Sequence, residues 1–380
     1  MRDAVRASIG HLVGHHVGLA YTTLAPVGPD GKVPDGEKVG QRGAWLEDLA
    51  IVPVAEDYRA YLDAWIDSFR GTTCRLFRLT LDRRLLIGHG NTSGSDVGLT
   101  VHHTWGTPLI PGSALKGITA HHVAESYGRP LDAAVAAPPR ELWRGVTWKG
   151  RSVARGPGPS YRGLFGAPDA EDDVTGAAGA TRGFVVFHDA QYLGVADRLV
   201  RDELSPNPER TCPFDRDVLT VHQSTYYNGH GAIDPSDHDD PNPVGFLTVS
   251  PRVQFVVALE GPADWTALAH RLLGEALASR GVGGKSTSGY GRGTLVEVQP
   301  PAPPPSALVT DFDAALGAQR DAGASQATLV AFIRDQWLER MRVAPASDRK
   351  AATVLIRKAI KRNAKSAAWI QDLCTGLEGG

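Results

Sequence analysis

Glycine, lysine and hydroxyl residues crowd one short stretch, and their spacing decides which phosphate chemistry they could perform. The sequence "RGVGGKSTSGYGRG" covers residues 280–293 and contains Gly284-Lys285-Ser286, the tripeptide that closes a nucleotide-binding P-loop. A P-loop needs a further glycine five residues before the second one, where this chain has Ser279. A P-loop also follows a strand and opens a helix, whereas this stretch follows a helix-like segment and precedes a strand-like one. The pattern argues against a nucleoside triphosphate hydrolase.

The same residue types favour a site that holds a phosphate without breaking it. Glycines permit positive φ and close approach of the backbone, so that consecutive N–H groups can form a concave anion site. Lysine and arginine add positive charge, serine adds hydroxyl donors, and the tyrosine could stack on a base. The candidate contacts in this glycine loop are Arg280, Gly283, Gly284, Lys285, Ser286, Ser288, Tyr290 and Arg292. The alternative is a tight polar turn with no ligand.

A second stretch that could hold a phosphate is "PLIPGSALKG", residues 108–117. Ser113 is predicted to cap a helix that ends near Gly128. Lys116 lies in the first turn of that helix, where free N–H groups and the helix dipole both favour an anion. The alternative is a plain cap at Ser113 and a solvated lysine at Lys116.

The sequence patterns for a catalytic or metal-binding site are weaker than those for a phosphate site. His188-Asp189 is an HD dipeptide, but an HD phosphohydrolase needs further histidines and an aspartate at suitable positions. The acidic loop at residues 234–240 carries oxygen ligands for a hard cation, although proline-rich acidic loops are commonly solvent-exposed turns. The three cysteines are too far apart in sequence for a zinc-ligand pair. We therefore expect no metal and no other cofactor.

Composition narrows the class of protein. The chain has 380 residues, a formal net charge of -2, 42% hydrophobic residues and 22% charged residues, which is typical of a soluble globular protein. The net charge argues against a protein that coats nucleic acid without preference. An odd number of cysteines forms no disulfide framework, and no stretch has the pattern of a signal peptide or a membrane span. These features predict a cytoplasmic protein with no membrane partner.

Basic residues gather locally despite the nearly neutral total. Between residues 140 and 162 there are six Lys or Arg and one acid, interleaved with tryptophan and tyrosine. This mixture suits single-stranded RNA through phosphate pairing and base stacking. Its candidate contacts are Arg144, Lys149, Arg151 and Arg155. The alternative is a solvated loop that two tryptophans anchor to the core.

Patterning predicts the elements that must position these groups. Apolar residues recur with helical spacing over residues 58–69, and an alternating strand follows with Phe77 facing inward and Arg78 outward. Further strands are predicted at "LTVHHTW", "GFVVFHDA", "FLTVSPRVQFVVALEG" and "TLVEVQ". The third of these stretches should break into two strands at Ser250-Pro251.

The order of helices and strands predicts an α+β fold with a ferredoxin-like (RRM-like) core. The predicted domain spans residues 1–299 and carries a long insertion at about residues 131–245. The five prolines of "QPPAPPPSAL" predict a proline-rich linker at residues 300–306. Residues 307–380 form a predicted all-α C-terminal extension, in which Ser325 caps one helix.

Several motifs taken together resemble a known family. The stretches "LLIGHG", "GLTVHHTWGTPLIPGSALKG", "GFVVFHDA", "TVHQSTYYNG", "DPNPVGFLTV" and "GVGGKSTSGYGRG" follow the order and spacing of the RAMP proteins, the repeat-associated RNA-binding proteins of CRISPR systems. Within that superfamily the chain resembles the family of the sixth Cmr subunit, a component of type III-B effectors. The resemblance covers residues 77–298, and Ala114 departs from it where a second serine is common.

The resemblance implies a RAMP core whose glycine loop and helix start face a guide RNA. It adds Gly88, His89, Asn91 and His102 to the candidate RNA contacts. It also implies a subunit without catalytic residues that caps the backbone of the complex near the 3′ end of the guide and helps to hold guide and target RNA in antiviral defence. The implied partners are CRISPR guide RNA, target RNA, sister RAMP subunits and a small helical subunit.

A second hypothesis from the same superfamily is a metal-independent RNA-processing endoribonuclease. In that hypothesis a histidine such as His102 or His89 acts as general acid or base. His102 is followed directly by His103, and adjacent residues on a strand point to opposite faces. At most one of that pair could therefore join a site.

Overall fold

The computed structural model describes most of the chain as two compact units. The described residues are 16–23, 39–91, 97–128, 140–169, 179–196, 212–221, 226, 229, 234, 242–298, 306–360 and 364–378. The first unit comprises Met1–Pro300 and the second comprises Pro301–Gly380. Each unit has a hydrophobic core of its own.

The first unit mixes helices with strands, which confirms the predicted α+β class. Its described helices are α1 (Val17–Thr23), α2 (Val39–Ala50), α3 (Tyr58–Asp67), α4 (Gly112–Ser126), α5 (Arg140–Trp143), α6 (Pro159–Phe165) and α7 (Ala263–Ser279). Its described strands are β1 (Cys74–Leu81), β2 (Leu109–Ile110), β3 (Thr147–Lys149), β4 (Ser152–Arg155), β5 (Gly166–Ala167), β6 (Thr181–Arg182), β7 (Val186–Phe187), β8 (Ala190–Val195), β9 (Phe214–Val221), β10 (Asn242–Val249), β11 (Val253–Glu260) and β12 (Gly293–Val298).

One antiparallel sheet forms the centre of the first unit. Its strand order is β12-β1-β11-β8-β2, and β7 pairs with β11 beside that path. β1 lies between β11 and β12 and is antiparallel to both. Helix α4 follows β2 in the chain, and helix α7 connects β11 with β12. This order is compatible with the predicted ferredoxin-like core, which has the same alternation of long strands and helices.

Strand β1 is buried on both of its faces. Phe77 faces α7, where its ring stacks on His270 with the ring centroids 4.3 Å apart. On the other face, Leu76 lines a cavity together with Ile66 of α3. Arg78 shares that second face and is 6% exposed. The prediction of a solvent-facing Arg78 is wrong, because the face that the alternation assigned to solvent is covered by other parts of the first unit.

The predicted break at Ser250-Pro251 is confirmed, and it separates two sheets. β10 pairs with β9 in a two-stranded sheet, whereas β11 belongs to the main sheet. The strand predicted at "LTVHHTW" is wrong, since these residues form a single bridge from Val101 to Pro108. The stretch "GFVVFHDA" is divided between β7 and the start of β8. Short apolar runs of this kind do not reveal where a strand stops.

The second unit is helical, which confirms the predicted C-terminal extension. Its helices are α8 (Ala307–Asp321), α9 (Gln326–Phe332), a π-helical turn (Ile333–Trp337), α10 (Leu338–Arg342), α11 (Ala346–Ala359) and α12 (Ala364–Glu378). The predicted cap at Ser325 is confirmed, because its hydroxyl accepts the Thr328 N–H at 3.2 Å. Phe312 and Ile356 are among the residues that form the core of this unit.

Candidate nucleic-acid interface

The glycine loop, residues 281–292, is closed at its base by backbone hydrogen bonds. The Val282 N–H donates to the Gly291 carbonyl at 3.0 Å, and the Gly291 N–H donates to the Arg84 carbonyl at 2.8 Å. Gly291 has a φ of 69°, and a Cβ at this position would lie 1.8 Å from the Val282 oxygen. Only glycine fits at this point of the loop.

The loop meets the "LLIGHG" motif, residues 85–90. The Gly284 N–H donates to the Leu86 carbonyl at 2.7 Å, and these two residues form an isolated bridge. Gly283 lies so close that an added Cβ would come 2.3 Å from the same carbonyl oxygen. The side chain of His89 lies beside Gly284, where an added Cβ would come 3.0 Å from the His89 Cβ. The structure thus brings His89 together with the loop glycines.

Gly88 and Asn91 shape the turn beside His89. Gly88 has a φ of 83°, and a Cβ there would lie 2.3 Å from Thr100 Oγ1. The Asn91 side-chain amide donates to the same hydroxyl at 3.2 Å, and the Asn91 N–H donates to the Gly88 carbonyl at 2.9 Å. Asn91 is exposed, and it holds the turn that presents His89 next to the glycine loop.

Residues 285–290, which we call the outer arc, carry backbone donors suited to an anion. Lys285 adopts the left-handed conformation with φ 56° and ψ 28°, and a 3₁₀ turn follows at Ser286–Ser288. Among the described residues, no backbone acceptor is found for the N–H groups of Lys285, Ser286 and Thr287. Ser286 is half-buried and Ser288 is exposed. Consecutive N–H groups in such a turn form a concave surface that attracts phosphate.

Two of the three predicted cations lie on the loop itself. The Lys285 ammonium lies 5.8 Å from the centroid of the Phe246 ring, within the range of a cation–π contact. Arg292 is half-buried, and its Nε has no hydrogen-bond partner among the described residues. Arg280 instead places its Nε 3.4 Å from His122 Nδ1, at the contact between α4 and α7. Lys285 and Arg292 therefore stay on the loop, whereas Arg280 is drawn towards the helices.

The ring of Tyr290 is held against the protein. Its hydroxyl donates to Asp217 Oδ2 of β9, and its ring packs beside Leu86 and Phe246. Burial and the hydrogen bond to Asp217 raise the pKa of Tyr290 to about 12. Stacking of a base on this ring stays a prediction, since part of the ring already contacts the protein. The local pattern "FDRDVLTV" does not mark Asp217, because its partner lies 73 residues away.

The start of α4 already holds an acidic group of the protein. Asp189 Oδ1 accepts the Gly112 N–H at 2.7 Å, and Pro111 occupies the N-cap position. Ser113 lies exposed in the first turn, so the prediction that it caps the helix is wrong. Lys116 lies one turn further along and is half-buried. A phosphate at this helix start would compete with the Asp189 carboxylate for the same positive end of the helix.

His102 is engaged on both ring nitrogens. Its Nδ1 accepts the Thr104 N–H at 3.2 Å, so the ring proton is on Nε2, which donates to the Tyr61 hydroxyl at 3.2 Å. The two rings also pack edge to face, with centroids 5.2 Å apart. Burial, followed by the neighbouring His103, lowers the pKa of His102. This geometry favours a packing role against α3 and leaves no ring nitrogen for general base catalysis.

Strands β3 and β4 form a hairpin that is exposed on both faces. Trp148 is 56% exposed, and Lys149 and Arg151 are exposed beside the turn. Arg144 and Arg155 instead pair with one glutamate at the start of α5, Arg155 at a distance of 3.1 Å. Lys149 and Arg151 are therefore the basic residues of this region that are best placed for an external contact.

The remaining chemical motifs have structural explanations or fall outside the described residues. Among the described residues, no group of three or more His, Cys, Asp or Glu is arranged to hold a metal ion. His188 Nε2 lies 3.1 Å from Glu260, and Asp189 accepts the first N–H of α4. These two contacts account for the HD dipeptide.

Most of the acidic loop 234–240 and most of "TVHQSTYYNG" lie outside the described residues. In the described part of the chain, no helix is both long and apolar enough to cross a membrane.

Comparison with known proteins gives a family match and several similar proteins. The family model of the RAMP superfamily matches residues 78–295. A curated relative, the CRISPR system Cmr subunit Cmr6 of Pyrococcus furiosus, is 28% identical over 264 residues, which cover 64% of this chain and 73% of the relative. The crystal structure of Cmr6 from Pyrococcus furiosus matches with 24% identity and a TM-score of 0.30, covering 59% of this chain and 97% of that chain. A chain of the Type III-B Cmr-beta structure bound to cognate target RNA matches with 16% identity and a TM-score of 0.45, covering 79% of this chain and 91% of that chain.

The family match spans the features on which the candidate site depends. It runs from β1 to β12 and includes the start of α4 and the whole glycine loop. The motifs "LLIGHG" and "GVGGKSTSGYGRG", which the fold brings into contact, both lie inside it. It covers more than half of the 380 residues. The chain therefore belongs to the RAMP superfamily.

Proposed function

We propose that this chain is a non-catalytic RNA-binding subunit of a type III-B (Cmr) CRISPR ribonucleoprotein. The observation that carries the proposal is the contact of His89 with Gly284 beside an outer arc whose backbone donors have no acceptor among the described backbone groups. Lys285 and Arg292 add two positive charges to the same loop. The 28% identity with a Cmr6 protein supports the assignment to a type III-B complex.

The chemistry of the loop suits a continuous phosphodiester backbone. Backbone N–H groups, hydroxyls and cations contact phosphates of any sequence, so they position a strand without reading its bases. In this proposal the chain caps the complex near the 3′ end of the guide RNA and helps to hold guide and target RNA. Sister RAMP subunits and a small helical subunit are its protein partners, and the β3–β4 hairpin supplies further RNA contacts through Lys149 and Arg151.

The double substitution Lys285→Ala with Arg292→Ala tests the loop. We expect weaker binding of a single-stranded guide RNA and a slope of log K against log salt that is smaller by about 1.4, because each phosphate contact on a single strand contributes about 0.7. The matched control is Lys285→Arg with Arg292→Lys, which keeps both charges and should keep the slope. Unchanged affinity and slope in the alanine variant would show that the loop does not hold RNA.

The absence of catalysis is tested separately with repeat RNA in the presence of a chelator. We expect no specific cleavage, because both ring nitrogens of His102 are occupied and general base catalysis needs a free one. Cleavage that is lost in His102→Ala or His89→Ala would favour the endoribonuclease hypothesis instead.

A further inference from the structure

The outer arc is joined at both ends to the two-stranded sheet of β9 and β10. Asp217 of β9 and Phe246 of β10 are direct partners in the antiparallel register. Opposite residues of two antiparallel strands project to the same face of the sheet. This cross-strand pair contacts both ends of the arc. Phe246 presents its ring to Lys285, the first residue, and Asp217 accepts a hydrogen bond from Tyr290, the last residue.

At the Tyr290 end, the link is a polar network. The Tyr290 hydroxyl donates to Asp217 Oδ2, and Arg84 Nε lies 3.5 Å from the same oxygen. Arg84 also pairs with Asp215 Oδ2 at 2.7 Å. The carbonyl of Arg84 accepts the Gly291 N–H at 2.8 Å. One arginine thus connects the acidic side chains of β9 with the backbone that closes the loop.

At the Lys285 end, the link is an aromatic contact. The Lys285 ammonium lies 5.8 Å from the centroid of the Phe246 ring, and Phe246 is 1% exposed. Because Phe246 is packed with Leu86, the ring is a fixed platform. The Tyr290 N–H lies 3.4 Å from the Lys285 carbonyl, which ties the two ends of the arc to each other.

We propose that Asp217 is a positioning residue, through which the β9–β10 sheet holds the outer arc in its phosphate-binding conformation before RNA arrives. The inference rests on the proposed function of the loop. A carboxylate repels phosphate, so Asp217 acts on RNA through Tyr290 and does not touch it. A loop that is already ordered loses less conformational freedom on binding, which increases affinity without adding a contact.

The test is Asp217→Ala in the full chain, with a mixed-sequence single-stranded RNA of about 30 nucleotides as probe. We expect affinity to fall on the order of tenfold, as for the loss of a hydrogen bond to a charged acceptor. The slope against log salt should stay unchanged, since no phosphate contact is removed. Asp217→Asn should restore most of the affinity, because its side-chain oxygen can still accept the Tyr290 hydroxyl.

Asp215→Ala is the matched control, because it removes the same charge from the same strand. Asp215 also pairs with Arg84, but among the described residues the Tyr290 hydroxyl bonds to Asp217 and not to Asp215. Electrostatics alone predicts that removing either acid tightens RNA binding. A fall in affinity for Asp217→Ala together with no fall for Asp215→Ala supports positioning. Unchanged or tighter binding by Asp217→Ala would overturn it.

Tyr290→Phe removes the same hydrogen bond from the other side and keeps the net charge. We expect it to weaken binding by a similar factor, and the double variant Asp217→Ala with Tyr290→Phe should be no weaker than either single variant, because both act through one bond. If Asp217→Ala loses its cooperative unfolding transition, Tyr290→Phe alone decides, and unchanged binding by it contradicts the inference. If the Lys285 and Arg292 double variant also binds RNA normally, the proposed function itself fails.

Discussion

Lys285 combines a strained backbone conformation with an N–H group that has no backbone acceptor among the described residues. In the described part of the chain, Lys285 and Arg252 are the non-glycine residues with positive φ. The left-handed region costs a residue with a Cβ roughly 1–2 kcal/mol. Strain of this kind is often retained where it serves binding. Here it places the ammonium near Phe246 and leaves the Lys285 N–H without a backbone acceptor among the described residues.

Replacing Lys285 should separate stability from binding. We expect Lys285→Gly to keep the free energy of unfolding within about 1 kcal/mol, because glycine tolerates positive φ but loses more entropy on folding. RNA affinity should fall, because the ammonium is lost. Lys285→Val is the opposite control and should lower the free energy of unfolding by about 1–2 kcal/mol, since a β-branched residue is strained there. Urea unfolding measures the free energy of unfolding of both variants. Equal values would contradict the backbone strain at Lys285.

The pKa of His102 is lowered in the folded chain, and we therefore expect the protein to lose stability as the pH falls. Burial holds the pKa of His102 in the folded chain below the value of about 6.5 expected in the unfolded chain. The unfolded state therefore binds more protons as the pH falls through that value, and the free energy of unfolding decreases. His102→Phe keeps a ring against Tyr61 but does not titrate. We expect a smaller loss of thermal stability between about pH 7.5 and pH 5.5 in this variant, and an identical loss in both proteins would refute the assignment.

At the scale of elements, the glycine loop and the start of α4 behave differently. The loop keeps backbone donors available and is fixed by its glycines, by Leu86 and by β9 and β10. The start of α4 has already given its first N–H to Asp189. Both stretches looked like anion sites because each combines glycine, serine and lysine. The difference lies in what the distant carboxylate binds. Asp189 accepts a backbone N–H at the helix start, whereas Asp217 accepts the Tyr290 hydroxyl and leaves the backbone N–H groups of residues 285–287 without a backbone acceptor among the described residues.

Two glycines of the loop provide a comparison between strain and crowding. Both residues have positive φ, 91° for Gly289 and 69° for Gly291. A Cβ at Gly289 would meet nothing within 4 Å, whereas a Cβ at Gly291 would lie 1.8 Å from the Val282 carbonyl oxygen. We expect Gly289→Ala to lower the free energy of unfolding by roughly 1 kcal/mol from strain alone. Gly291→Ala should cost more than about 2 kcal/mol and should weaken RNA binding, since the loop must open. Chemical denaturation of both variants checks this, and equal losses would contradict the role of crowding.

At the scale of the whole molecule, the chain consists of two units with separate cores. The RAMP match ends at residue 295, within β12, and the second unit lies beyond it. The core of the second unit is formed by residues of its own helices, including Phe312, Trp337 and Leu373. An apolar core supplied by one segment is the condition for that segment to fold alone.

This organisation predicts that the units fold independently. We expect a fragment of residues 306–380 to show a helical circular dichroism spectrum and a cooperative thermal transition, because its core needs no residue of the first unit. A fragment of residues 1–299 should keep the transition of the first unit and its RNA binding through the loop. A C-terminal fragment without helical structure would show that its core depends on the rest of the chain.

Much of the fold follows from local patterns. The helical spacing of residues 58–69, the break at Ser250-Pro251 and the cap at Ser325 are all found as predicted, because each depends on neighbours in the sequence. Predictions that needed a distant partner were less successful. The outward Arg78 and the strand at "LTVHHTW" are wrong, since tertiary packing decided both.

The sequence by itself predicted that residues 281–292 form a glycine loop whose residue types suit a phosphate, because glycine spacing, lysine and hydroxyls are local properties. It also determined the resemblance to RAMP proteins. Only the tertiary structure decided two hydrogen bonds between distant residues. Asp189 accepts the N–H at the start of α4, 77 residues away in the sequence, and Asp217 accepts the Tyr290 hydroxyl, 73 residues away. A side chain finds such a partner through the packing of sheets and helices, and that packing is a property of the folded chain as a whole.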